Sequence, residues 1–134
     1  MIRIFLTILL IGWGSAALAT GFISFQSPSG NIHCMFEDDG GVDVRCDRIN
    51  FQNAPPAPAD CDLDWGHGFA VGATGRGAAI CAGDTVATGN SFVLEYGNSI
   101  TVGSITCLSE ANGMTCQNDD GGGFTISRSQ QDTY

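Results

Sequence analysis

The sequence predicts a small all-β domain, a disulfide-stapled sandwich or partly open barrel of about eight short strands. Three observations carry that expectation. Apolar and polar residues alternate with period two in short runs broken by Gly, Asn, Asp and Pro. Six cysteines fall in a short chain. Beyond residue 19 no stretch shows the 3.6-residue periodicity of an amphipathic helix.

The first 19 residues read as a secretory signal peptide. Arg3 supplies a positive start, an apolar run from Ile4 to Trp13 follows, and Ala17-Leu18-Ala19 offers a small-residue cleavage site. An uncleaved anchor would need about 20 apolar residues. Residues 20–134 then form a single domain. All six cysteines, Cys34, Cys46, Cys61, Cys81, Cys107 and Cys116, lie within it. An even count in an exported chain implies bridges, and hence a periplasmic or extracellular location.

Charge narrows the partners. The sequence has five Lys+Arg against 14 Asp+Glu and a formal net charge of −9, and without Arg3 that becomes −10. Phosphate backbones and anionic headgroups need Lys/Arg to displace their counterions, so nucleic acid and membrane surface are poor partners. A cation or a basic protein suits the surface better, although solubility alone accounts for such acidity.

The register of a first hairpin can be derived. Ile32, Cys34 and Phe36 share one face, and Val42, Val44 and Cys46 share one face of the next run. Setting Cys34 opposite Cys46 brings Phe36 to Val44 inside. It also brings Met35 to Arg45, His33 to Asp47 and Glu37 to Asp43 outside, with the turn over Asp38–Gly41. A second hairpin repeats the device with Cys107 and Cys116, and that register predicts a four-residue loop, Glu110 to Gly113, around Asn112-Gly113.

Cys61 and Cys81 are the pair left over; six cysteines allow 15 connectivities, so this sequential pairing rests on the hairpin geometry and not on the count. Pro55, Pro56 and Pro58 make the segment before Cys61 a stiff extended crossing. "GHGF" (66–69) and "GGGF" (121–124) follow the two hairpins in turn, which suggests a degenerate duplication. Further strands are expected at 22–26, 69–71, 92–96, 100–102 and 124–127, with a polar, frayed tail after Arg128.

Motifs for chemistry are sparse. Cys34 beside His33 resembles a nucleophile and its base, but adjacent strand residues face opposite ways and a bridged cysteine has no thiolate. There is no G-x-S-x-G elbow, and neither C-x-x-C nor H-x-x-x-H spacing occurs. Asp60, Asp62 and Asp64 match the start of a calcium loop, yet Trp65 stands where its glycine belongs and Val71 where its glutamate belongs. They are weak metal candidates. Gly72, Gly75 and Gly77 form G-x-x-G-x-G, which is a turn pattern and not a dinucleotide fingerprint. No cofactor is expected. Trp65, Phe69, Phe92 and Tyr96 could supply an aromatic sugar-binding surface, but the phenylalanines read better as core and Trp65 as cover over one end.

Taken in order, "SPSGNIHC", "VRCD", "WGHGF", "CAGDT", "LEYGNSI", "GMTC" and "GGGFTISR" resemble a family of small six-cysteine secreted bacterial proteins of unknown function. The family form of the last motif is similar to G-H-G-F, and Gly122 stands in the histidine's place, so the resemblance implies no catalytic histidine there. It implies no activity. The function expected from the residues is a non-enzymatic binding or interaction module for an unknown protein or small ligand. The alternatives are a small hydrolase using carboxylates such as Asp60, Asp62 or Asp64, or a calcium-stabilised structural domain.

Overall fold

The computed structural model describes residues 21–134, so the expected leader, residues 1–19, lies outside the described residues. Eleven strands and no helix occur among them. Among the described residues, no helix is therefore long and apolar enough to cross a membrane.

One sheet contains β1 (Phe22–Gln26), β2 (Ile32–Asp38), β3 (Val42–Arg48), β4 (Gly68–Gly72), β5 (Ala78–Ala79) and β6 (Phe92–Val93), in the order β5-β4-β3-β2-β1-β6. The other contains β7 (Ser99–Val102), β8 (Ile105–Glu110), β9 (Gly113–Asn118), β10 (Gly123–Ile126) and β11 (Gln131–Thr133), in the order β11-β10-β9-β8-β7. Both sheets are open, which makes the fold a sandwich and not a barrel. Every pair is antiparallel except β1 with β6.

The first hairpin has the derived register at every pair, Cys34↔Cys46, Phe36↔Val44, Met35↔Arg45, His33↔Asp47 and Glu37↔Asp43. In the second, Cys107↔Cys116 holds but the expected four-residue loop does not. Glu110 pairs with Gly113, so the turn is Ala111-Asn112 alone. Neither turn residue takes the positive φ of a type I′ turn, while Gly113 at φ +148° absorbs the reversal. The bridges are Cys34–Cys46, Cys61–Cys81 and Cys107–Cys116, with no free cysteine.

Two further expectations are corrected. The strand at 92–96 shortens to Phe92–Val93, which places Tyr96 in a loop. The tail is ordered as β11 against β10, and the Tyr134 backbone bonds Gly77 and Gly123.

The core lies between the sheets, where Phe25, Phe36, Phe69 and Phe124 are fully buried with Val44, Ile105, Met114 and Ile126. Each such side chain contributes about 1.5–3 kcal/mol by leaving water. The two sheets also share one register. Phe25↔Cys34, Cys34↔Cys46 and Cys46↔Phe69 in the first match Ile100↔Cys107, Cys107↔Cys116 and Cys116↔Phe124 in the second. Equivalent residues face each other across the core: the Cys46 and Cys116 sulfurs lie 3.7 Å apart, and the Phe69 and Phe124 ring centroids 6.2 Å. "GHGF" and "GGGF" are thus the same place in two halves, with His67 O accepting from Arg48 N as Gly122 O accepts from Asn118 N.

The outer face of the first sheet is covered. The segment 80–91, anchored through Cys81 to Cys61, crosses it and buries Val86. Asp47 lies on the outer face opposite His33 as expected, yet under this strap it is only 1% exposed. It accepts from Arg45 at 2.9 and 3.0 Å and from Val86 N at 2.9 Å.

Candidate functional site

At one end of the sandwich the loops of both sheets enclose an open groove of about 620 Å³. Five segments reach it: Ser27–Ile32, Asn50 after β3, Tyr96, the β8–β9 turn, and the β10–β11 loop. The volume falls in the usual range for small-molecule sites, about 300–1,000 Å³.

The inner tier of this groove is held by its own hydrogen bonds. Ser27 Oγ accepts from Ile32 N at 3.1 Å and pairs with Ser29 Oγ at 3.0 Å. Asn31 exchanges two bonds with the Asn50 backbone, 3.0 and 2.8 Å. Ser127 Oγ accepts from Gln130 N at 3.2 Å. The serine bonds are the short-range ones such side chains make in turns, the Asn31–Asn50 pair ties two loops together, and all of them fix the loops before any ligand arrives.

Arg48 supports the same end from beneath. Its guanidinium is buried, donates from Nη1 to Ser127 O (3.0 Å), Gln130 O (3.3 Å) and Gln131 Oε1 (3.1 Å), and donates from Nη2 to Asn53 O (2.8 Å) and Gly66 O. The rings of Phe51 and Phe69 lie 4.7 and 5.2 Å from its central carbon. Among the described residues no carboxylate pairs with it, and burial pulls its pKa below the ordinary arginine value. Carbonyl dipoles carry the compensation, and the β10–β11 loop is tied to the first sheet as a result.

The outer tier is uncommitted. Among the described residues, the side chains of Asn50, Tyr96 and Asn112 make no hydrogen bond within the chain, nor do those of Arg128, Ser129 and Gln130. Glu110 contributes the one carboxylate of the lining. Neither His33 nor His67 reaches the groove: His33 Nε2 bonds Gly30 O at 2.9 Å and His67 Nε2 bonds Asp84 O at 3.2 Å.

The other candidates lie elsewhere. Asp60, Asp62 and Asp64 are exposed on the segment around Cys61, and their carboxylates are not gathered into one cluster. The close-set group of potential ligands among the described residues is Cys34, Cys46 and Cys116, whose sulfurs are taken by bridges. Phe69 is core, but Phe92, also expected there, is 48% exposed on the edge strand β6 and stacks on Phe25 with centroids 6.0 Å apart, while Trp65 donates to Pro55 O at 2.7 Å on the proline crossing. Of the four aromatics, Tyr96 alone lines the groove. Gly72, Gly75 and Gly77 form a turn packed against Gly122 and Gly123, where a Cβ at Gly122 would collide with the Gly75 carbonyl.

Arg48 and the groove itself escape a sequence reading. The signal present for Arg48 is rarity: it is one of five basic residues, set at the end of a strand in an acidic chain.

Fold and bridges together define a disulfide-stabilised all-β sandwich domain. The model of a family of unknown function (DUF6636) matches residues 4–134, and the chain belongs to that family. Comparison with curated proteins gives no match, and neither does comparison with solved structures.

Proposed function

We propose that the protein is an exported binding module that acts in the periplasm or outside the cell, with its leader, residues 1–19, removed and residues 20–134 forming one domain. Three disulfides fit an oxidising compartment and compensate for the small core of such a chain. One observation carries the binding reading: free polar side chains converge on a groove whose inner tier is already locked. Preorganisation of this kind lowers the ordering cost of association.

The groove favours binding over hydrolysis. Glycoside hydrolysis uses two carboxyl groups about 5–9.5 Å apart. Here Glu110 stands without a carboxylate partner in the lining.

A photo-reactive residue at Asn112 should capture a ligand from the producing cell's envelope or medium that the same residue at Thr88, on the outer strap, does not. Identical captures from both positions would remove the groove as the site. A chelator is expected to leave Tm unchanged while reductant lowers it strongly; a chelator-induced drop would restore the calcium reading of Asp60, Asp62 and Asp64.

A further inference from the structure

We infer that the groove takes a neutral, hydroxyl-rich chain, an oligosaccharide; this rests on the binding reading above and names its ligand class. The uncommitted groups are carboxamides (Asn50, Asn112, Gln130) and hydroxyls (Ser129, Tyr96). A carboxamide donates and accepts at once, and so does a sugar hydroxyl, so neighbouring hydroxyls of one ring can be satisfied in both senses by one side chain. Charged ligands match less well. Arg128 is the single cation of the lining and Glu110 the single anion, so the groove is formally neutral. The formal net charge of −9 repels an anionic ligand before it arrives.

The groove's apolar surface comes from few apolar side chains and is interleaved with polar groups, which suits an amphipathic ligand better than a purely apolar one. The lining offers Ile32, Ala111 and the ring of Tyr96, and Ile32 is itself 5% exposed. Tyr96 is the element that a sugar uses and a small hydrophobe does not need. It is 47% exposed in a loop, presenting an apolar ring with a polar tip, which suits the C–H face and the hydroxyl rim of a pyranose together. The groove is open to solvent and lies between loops of both sheets, so a sugar unit can enter it while the rest of a chain stays outside.

The test uses the purified oxidised protein on two probe sets. One holds neutral oligomers of glucose, galactose, mannose and N-acetylglucosamine; the other holds acidic and basic peptides with uronic-acid oligomers. Retention of a neutral oligomer is expected, with affinity lowered at least about tenfold by Tyr96→Ala and several-fold by Asn112→Ala, and unchanged by Thr88→Ala. The urea midpoint of Tyr96→Ala should match the parent, which separates loss of contact from loss of fold. Retention of a peptide or uronic-acid probe, sensitive to the same two substitutions, overturns the ligand class and leaves the groove as a binding site. Neutral-oligomer binding indifferent to both substitutions overturns the placement. If neither set yields binding sensitive to Tyr96 or Asn112, the binding reading falls together with the ligand class.

Discussion

The two ends of the sandwich are built from corresponding loops and finished in opposite ways. Because the halves share a register and equivalent strands face each other, the operation that exchanges the sheets also exchanges the ends. The β10–β11 loop that lines the groove corresponds to the β4–β5 loop at the far end. There the gap is shut: Gly75 and Gly77 lie against Gly122 and Gly123, Ser104 Oγ donates to Ala73 O at 2.8 Å, and Gly75 N donates to Asp120 Oδ2 at 3.2 Å. Asn118 reaches from β9 to Gly72 O and Gly75 O at 3.1 and 2.9 Å, as Arg48 reaches from β3 to Ser127 O and Gln130 O. A short amide draws its loop in, whereas a long guanidinium holds its loop at arm's length. Glycines let backbones touch at one end, and serines and asparagines keep them apart at the other.

The largest effect should come from forcing the shut end open. Gly122→Ala is expected to cost about 3 kcal/mol, because the obstacle is backbone and cannot turn aside. Gly30→Ala at the groove end should cost about 1 kcal/mol, since its φ of +72° is strained for alanine but nothing lies nearer than 3.8 Å. Equal shifts in urea midpoint for the two would dissolve the contrast.

Next come the two reaching side chains. Arg48→Ala leaves buried carbonyls without donors and should cost about 2–3 kcal/mol, while Asn118→Ala should cost about 1–2 kcal/mol. Hydrogen exchange locates the damage: residues 127–130 should lose protection in the first variant and residues 72–75 in the second. Either variant exposing the other's loop would break the correspondence.

The smallest effect concerns the strap. Arg45, 2.9 Å from Asp84, holds that exposed carboxyl below its ordinary value through hydrogen bonding and charge. A depressed carboxyl stabilises above the unfolded value of about 3.9 and loses that contribution as pH falls through its lower folded value. Asp84→Asn should therefore flatten the acid limb of stability slightly and barely change it at neutral pH, as for any exposed pair. A steeper acid limb in the variant would contradict the assignment.

Much of the fold was legible where neighbours in sequence decide it. The alternation through Ile32–Glu37 and Val42–Asp47, pinned by one cysteine pair, fixes every partner in the first hairpin. The second hairpin shows the limit, since Asn112-Gly113 reads as a turn centre although Gly113 is already a paired residue. β5 and β11 escaped because Ala78–Ala79 is too short to show a period and Gln131–Thr133 carries no apolar residue. What orders β11 is backbone pairing with Phe124–Ile126, extended at Tyr134 by bonds to Gly77 and Gly123, and the polar residues of β11 record none of that. The groove was illegible for the same reason. Ser27–Asn31 launches β2 as its composition implies, but its neighbours at 110–113 and 127–130 are set by the packing of the two sheets.

The contact between the Cys46 and Cys116 sulfurs makes the two core bridges neighbours in reactivity as well as in space. If either is cleaved, the thiolate it frees can lie against an intact disulfide of the same molecule and can attack it by exchange, without waiting for a second reagent. Cys61–Cys81 stands apart on the surface, with Cys81 exposed. Reductive opening therefore divides the three bridges into one that opens alone and two that can trade partners: a Cys46 thiolate attacking Cys116 forms a Cys46–Cys116 bond and releases Cys107 as the thiolate, while the strap can come loose with the sandwich still standing.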